Sequence, residues 1–295
     1  MKEIENLSTV IYAGQYENES VPETLVIEDG VEEIAENAFR DFARIKKVIF
    51  PASLRRISAA AFAGCVSLSE ISIPFGLVEI GDEAFSGCSS LTGARLPDSV
   101  MHIGEGCFEG CASLSSLKLS ESLRSIGAGA FSFCFNLHTV VIPDSCESVE
   151  FNAFQSCFSL ESVKLSASMQ SVEESLFEGC RSLSDIDLPA GLVRIGRRAF
   201  RGCASLVTLI LPVSLLEIGL DGFADCKSLR RLAIPKGVRE LEDNEIFNGC
   251  DSLREISFGG SAEKWEMLLG GQALTVPTSD GALITPKIYF LDVKE

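Results

Sequence analysis

Histidine is nearly absent from this chain: His102 and His138 are the only two in 295 residues. Nucleophilic catalysis needs a base beside a serine or cysteine, and tetrahedral metal sites need closely spaced Cys and His. Neither catalysis nor a metal is therefore expected, and no cofactor is assigned. Positive charge is also scarce. The 25 Lys and Arg stand against 42 Asp and Glu, a formal net charge of -17. Such a field repels nucleic acid and anionic membrane surfaces, so neither is an expected partner. No apolar run approaches the length that spans a bilayer, and no membrane insertion is expected. The residues from Met1 to Leu7 lack a basic region followed by an apolar stretch, so the residues alone point to the cytoplasm. No glycine-rich loop follows a strand in the way a phosphate cradle requires. Acidic pairs such as Glu32-Glu33 and Glu173-Glu174 read as a solvated face.

What is present is a repeat. Phenylalanine recurs at Phe39, Phe62, Phe85, Phe108, Phe131, Phe154, Phe177, Phe200 and Phe223, every 23 residues, with Phe247 after 24. A fixed period of this size is the mark of a solenoid, whose stability is collective because each rung buries its apolar face only against its neighbours. Within a rung the apolar positions keep a set order: Phe62, Cys65, Leu68, Ile71, Ile73, Leu77, Ile80. The alternation Ile71-Ser72-Ile73 predicts a strand with one face buried, ended by Pro74. Leu77 to Ile80 reads as a second short extended segment, and Gly81 as a turn. The segment around Glu83-Ala84-Phe85 is predicted to form one turn of α- or 3₁₀-helix on the outer side.

Nine of the eleven cysteines hold one repeat position, three after the Phe. Rungs about 4.8 Å apart would stack them in a column. Side chains in such a column point the same way, whereas a disulfide needs its Cβ atoms turned toward each other. Free, buried thiols acting as small apolar filler are expected.

Residues 1–24 are predicted to cap the first rung, 25–258 to carry the repeats and 259–295 to cap the last, the whole forming one domain. The one-residue insertion within 242–246 is expected to bulge a turn. In the final segment Ser261 is read as the N-cap of a short helix with Trp265, Leu268 and Leu269 on one face. Ile288 to Leu291 reads as a last strand.

Three surface groups depart from the repeat. The exposed strand position holds Arg95, Lys118, Val141 and Lys164 in successive rungs, beside a column of small residues, Gly93, Ser116, Thr139 and Ser162. Together they predict a shallow basic strip about 15 Å long. Phe135 and Phe158 follow the column cysteines, Phe133 replaces the usual Gly, and Phe151 stands where Ala128 and Glu174 stand. Four extra aromatics on two rungs predict an apolar patch of the kind that marks interaction sites. Arg194, Arg197, Arg198 and Arg201 face Glu173, Glu174 and Glu178 of the preceding rung at nearly matching positions, which predicts cross-rung ion pairs.

The block Ala199-Phe200-Arg201-Gly202-Cys203-Ala204-Ser205-Leu206 and its copies resemble the repeat of the BspA-like bacterial leucine-rich repeat proteins, as does the end segment Phe258 to Trp265. The resemblance implies an α/β repeat solenoid: a leucine-rich repeat horseshoe with a parallel sheet, about ten rungs and short helical or 3₁₀ turns outside. It also implies cell-surface or secreted relatives concerned with adhesion and protein contact. The expected function is a monomeric, non-enzymatic scaffold for protein–protein interaction, with a protein partner of unknown identity. A surface adhesin is the alternative, and an enzyme with its site in a cap the more distant one.

Overall fold

The computed structural model describes residues 9–16, 21–242 and 244–291. The remainder of the predicted caps (1–8, 17–20 and 292–295) and residue 243 of the insertion lie outside the described residues.

Each rung contributes two strands, so the solenoid carries two strand columns. Short strands such as Glu33–Ile34, Arg56–Ile57 and Glu79–Ile80 pair in parallel with the same residues one rung away. Three-residue strands such as Gly93–Arg95 and Ser116–Lys118 do likewise, with Arg95 opposite Lys118. The columns keep the 23-residue register, because a slip of one would turn Ile57 or Val140 outward, until Arg231–Ile234 pairs with Glu255–Phe258 across 24. Thr24–Val26 is the first strand of this second column and the four-residue Glu255–Phe258 the eleventh, one rung more than the phenylalanine count suggests. Val10–Ile11, read from the sequence as part of a cap, pairs in parallel with Glu33–Ile34. At the far end Lys287–Phe290 adds a last strand beside Glu255–Phe258.

The outer segment carries little helix. In the rung of Phe85, Ala84, Ser86 and Cys88 donate their N–H groups three residues back. The intervening N–H groups of Glu83, Phe85 and Gly87 instead reach carbonyls of the next rung, at 2.7, 2.8 and 2.7 Å. Diverting every second donor to a neighbour leaves a chain of tight turns and no continuous helix. Among the described residues the one 3₁₀ helix is Asn244–Phe247, where the insertion falls. The alternation drives two positions per rung into the left-handed region, two before and two after the Phe. Gly64, Gly87, Gly110, Gly179 and Gly202 supply the second of these at no steric cost.

Between turns and strands lies one continuous core. The Phe rings stack offset along the whole solenoid, from 5.2 Å between Phe39 and Phe62 to 6.2 Å between Phe223 and Phe247. Beside them run the cysteines, all eleven buried and unpaired. The column thiols do more than fill space: Cys88 donates its S–H to the carbonyl of Phe62 at 3.2 Å, and Cys157 to that of Phe131 at 3.2 Å. The terminal helix Ala262–Leu268 is capped by Ser261, whose hydroxyl accepts from the Lys264 N–H. It buries Trp265 against Phe258 at 5.1 Å, with Leu269 beside it and Leu268 half-buried.

Candidate interaction surface

The strand register brings the basic residues into line. Arg95 sits opposite Lys118, and Val141 opposite Lys164. Thr139, the first residue of its strand, lies opposite Ser162. All five of Arg95, Lys118, Thr139, Val141 and Lys164 are exposed. Elsewhere on this column cations are matched across rungs, as in Lys47–Glu70 at 2.6 Å and Arg231–Glu255 at 3.0 Å. Arg95, Lys118 and Lys164 make no such pair among the described residues.

The four aromatics divide into two groups that share Phe133. Phe135 stacks on Phe158 at 4.9 Å and 14°, the Arg181 guanidinium covers Phe158 at 4.4 Å, and Phe133 meets Phe135 edge-on at 6.3 Å. Together they form an open ladder of three rings and a cation across three rungs. Phe133 occupies the second left-handed position, with φ +61°. Its N–H is held by the carbonyl of Gln155 at 2.8 Å, as Gly87 is held by Glu109. The rung-to-rung bond thus imposes the glycine conformation on a phenylalanine, at a cost of about 1–2 kcal/mol. Despite that cost the ring remains 38% exposed.

Phe133 and Phe151 also line a concavity of about 180 Å³. Gly106, Ala128 and Gly129 line it too, with Glu83, Glu105 and Glu109 and the polar Ser132, Asn152 and Gln155. A Cβ on Gly106 would stand 3.3 Å from the Glu109 carboxylate and 3.4 Å from Glu83, so absent side chains open the space. Burial, then the charges of Glu83 and Glu105, hold the Glu109 carboxyl above the usual carboxylate range. Sequence reasoning found the phenylalanines but missed these glutamates and Arg181. The repeat alignment does contain the signal, since Glu105, Ala128 and Phe151 share one repeat position in successive rungs.

Of the predicted ion pairs with Glu173, Glu174 and Glu178 one forms among the described residues, and two further arginines turn to the following rung instead. Arg194 meets Glu173 of the preceding rung at 2.6 Å, while Arg198 and Arg201 reach Asp221 of the following one at 3.5 and 3.1 Å. His102 Nδ1 lies 2.8 Å from Ser125 Oγ, a contact between neighbours in the short-strand column. Burial raises the thiols, with Cys65, Cys111 and Cys157 pushed up to about 12. Groups so far from ionising are poor nucleophiles at neutral pH. Among the described residues no cluster of His, Cys, Asp and Glu is arranged to hold a metal, and no helix is long and apolar enough to cross a membrane.

The sequence model of the BspA type leucine rich repeat region matches in six copies, over residues 9–102, 32–160 and 147–267. The chain belongs to the BspA-type leucine-rich repeat family. Solved structures similar to it include a leucine-rich repeat protein from Bacteroides ovatus, 25% identical over 96% of this chain and 87% of that one, with a TM-score of 0.51. A leucine rich repeat protein of T. pallidum is 33% identical over 63% of this chain and 78% of its own, with a TM-score of 0.47. A leucine rich cell surface protein from Faecalibacterium prausnitzii is 27% identical over 85% and 83%, with a TM-score of 0.46. Among curated proteins none matches.

Proposed function

We propose that this BspA-type protein is a non-enzymatic scaffold that binds another protein through the aromatic corner formed by the rungs of Phe131 and Phe154. The observation that carries this reading is the ladder of exposed Phe133 and Phe135, half-buried Phe158 and exposed Arg181. These rings lie outside the buried Phe column that supplies the core, and the contacts between them leave Phe133 and Phe135 open to solvent. Aromatic and arginine side chains are also the types that dominate binding energy at protein interfaces. Repeat surfaces present such groups on a rigid, extended face.

The test is a quantitative pull-down from lysate of the source cell, with the wild type beside Phe135→Ser/Phe158→Ser and Lys118→Glu/Lys164→Glu, each checked for folding by its melting curve. A protein retained by the wild type and the lysine variant but lost with the phenylalanine variant supports the reading. Loss with the lysine variant alone moves the site to the basic strip. If nothing is enriched, or all three baits behave alike, the interaction role fails.

A further inference from the structure

We propose that the concavity between Phe133 and Phe151 is a docking pocket for a lysine or arginine side chain carried on an apolar segment of the partner protein. This deepens the scaffold reading and rests on it.

Charge gives the first argument. Some carboxylates of this protein are matched by a cation one rung away, as in Arg56–Glu79 and Arg124–Glu147. Glu83, Glu105 and Glu109 line one concavity, yet none makes an ion pair among the described residues. A cation seated between them would relieve a repulsion that the fold leaves standing.

Size gives the second. At roughly 30 Å³ per water, the space of about 180 Å³ holds about six waters. That is more than a bare ion fills and less than the roughly 300 Å³ or more of a typical small-molecule site. One extended side chain suits it. The lining supplies what such a side chain needs: two exposed phenyl rings for an alkyl stem or a cation, and carboxylates for the head. The aromatic ladder continues from Phe133 to Phe135 and Phe158, so apolar neighbours of the docked cation have rings to cover.

The probe is a blocked pentapeptide with one lysine between two leucines and glycine ends, titrated into the full chain and followed by NMR. Its counterpart carries glutamate for the lysine. The lysine peptide should bind and shift the signals of Phe133, Phe151 and Gly129, and the glutamate peptide should not. Glu105→Gln/Glu109→Gln should weaken binding about tenfold, equivalent to about 1.4 kcal/mol. Phe151→Ala, which repeats the residue at Ala128, should weaken it about as much. Glu32→Gln/Glu266→Gln removes equal charge elsewhere and should leave binding unchanged.

The pocket assignment is overturned if the lysine peptide does not bind, if both peptides bind alike, or if the distant glutamate pair weakens binding as much as the near one. Failure here is separable from failure of the scaffold role. A pulled-down partner that depends on Phe135 and Phe158 but ignores Glu105→Gln/Glu109→Gln refutes the cation pocket and leaves the interaction surface standing.

Discussion

Replacing Phe131 by alanine tests whether the stacked rings set the stability of the whole array. Phe131 is fully buried and lies between Phe108 and Phe154, each ring 5.4 Å away. Phe→Ala in a core costs about 3–5 kcal/mol through lost transfer energy and the cavity left behind. Two ring contacts worth about 0.5–1.5 kcal/mol each disappear together, which places Phe131→Ala at the upper end, about 5 kcal/mol. Phe247, the last ring of the column, stacks on Phe223 at the longer distance of 6.2 Å. Its replacement should cost less, about 3 kcal/mol. Position matters as well, because rungs couple only to their neighbours. Loss at the centre should separate the array into two cooperative halves, whereas loss at the end should only fray it. Urea unfolding followed by circular dichroism and by hydrogen exchange reads both effects. Exchange should quicken first in the rungs of Phe108, Phe131 and Phe154. If Phe131→Ala costs less than about 1.5 kcal/mol, or no more than Phe247→Ala, the ring column is not the source of the coupling.

Gly104→Ala should destabilise although it adds one methyl, because its Cβ would come within 2.6 Å of the Gly81 and Asp82 backbone; a melting temperature equal to wild type would refute the close approach of these rungs. Thiol reagents at neutral pH should leave the native protein unlabelled, since Cys65, Cys111 and Cys157 are pushed up to about 12 by burial. Labelling should instead follow the urea transition, and rapid stoichiometric labelling of folded protein would contradict this. Glu109 is raised in the folded chain by burial and by Glu83 and Glu105, so the folded state binds this proton more tightly than the unfolded one and ionising it costs stability. Glu109→Gln should therefore raise the melting temperature at about pH 7, with the gain shrinking as pH falls and vanishing well below about 4, where the carboxyl is protonated in both states. A gain independent of pH would show that the charge is not its cause.

The columns were legible because a repeat gives each position one environment, and nine identical answers at Phe and Cys leave little choice. The outer turns were harder. Local propensity for Glu83-Ala84-Phe85 favours a helical turn, and only the next rung's carbonyls, drawing off every second N–H, forbid it. No pattern within one rung contains that competition. The Cys S–H bond to the preceding Phe carbonyl is hidden for the same reason, since small buried thiols in apolar columns pass for filler.

The binding corner was legible only in part. Phe133 stands out in the sequence as the wrong residue at a glycine position. That it stays left-handed follows from the Gln155 carbonyl, which holds the backbone whatever side chain it carries. The hollow beside it arises from side chains that are missing at Gly106, Ala128 and Gly129, and missing volume leaves no hydrophobic pattern to read. These two facts have a common cause. Inter-rung backbone bonds specify the rung so strongly that the turn positions carry little folding information, and their side chains are free to differ without loss of the fold. Among the described residues ten other non-glycine residues, Ala60, Glu83 and Arg198 among them, hold the same left-handed conformation as Phe133. What sets Phe133 apart is a large apolar ring left 38% exposed at such a position, beside three glutamates that line one concavity. Exposed apolar rings of this kind are what a partner covers, which is why the corner around Phe133, and not the basic strip, is where a partner should be sought.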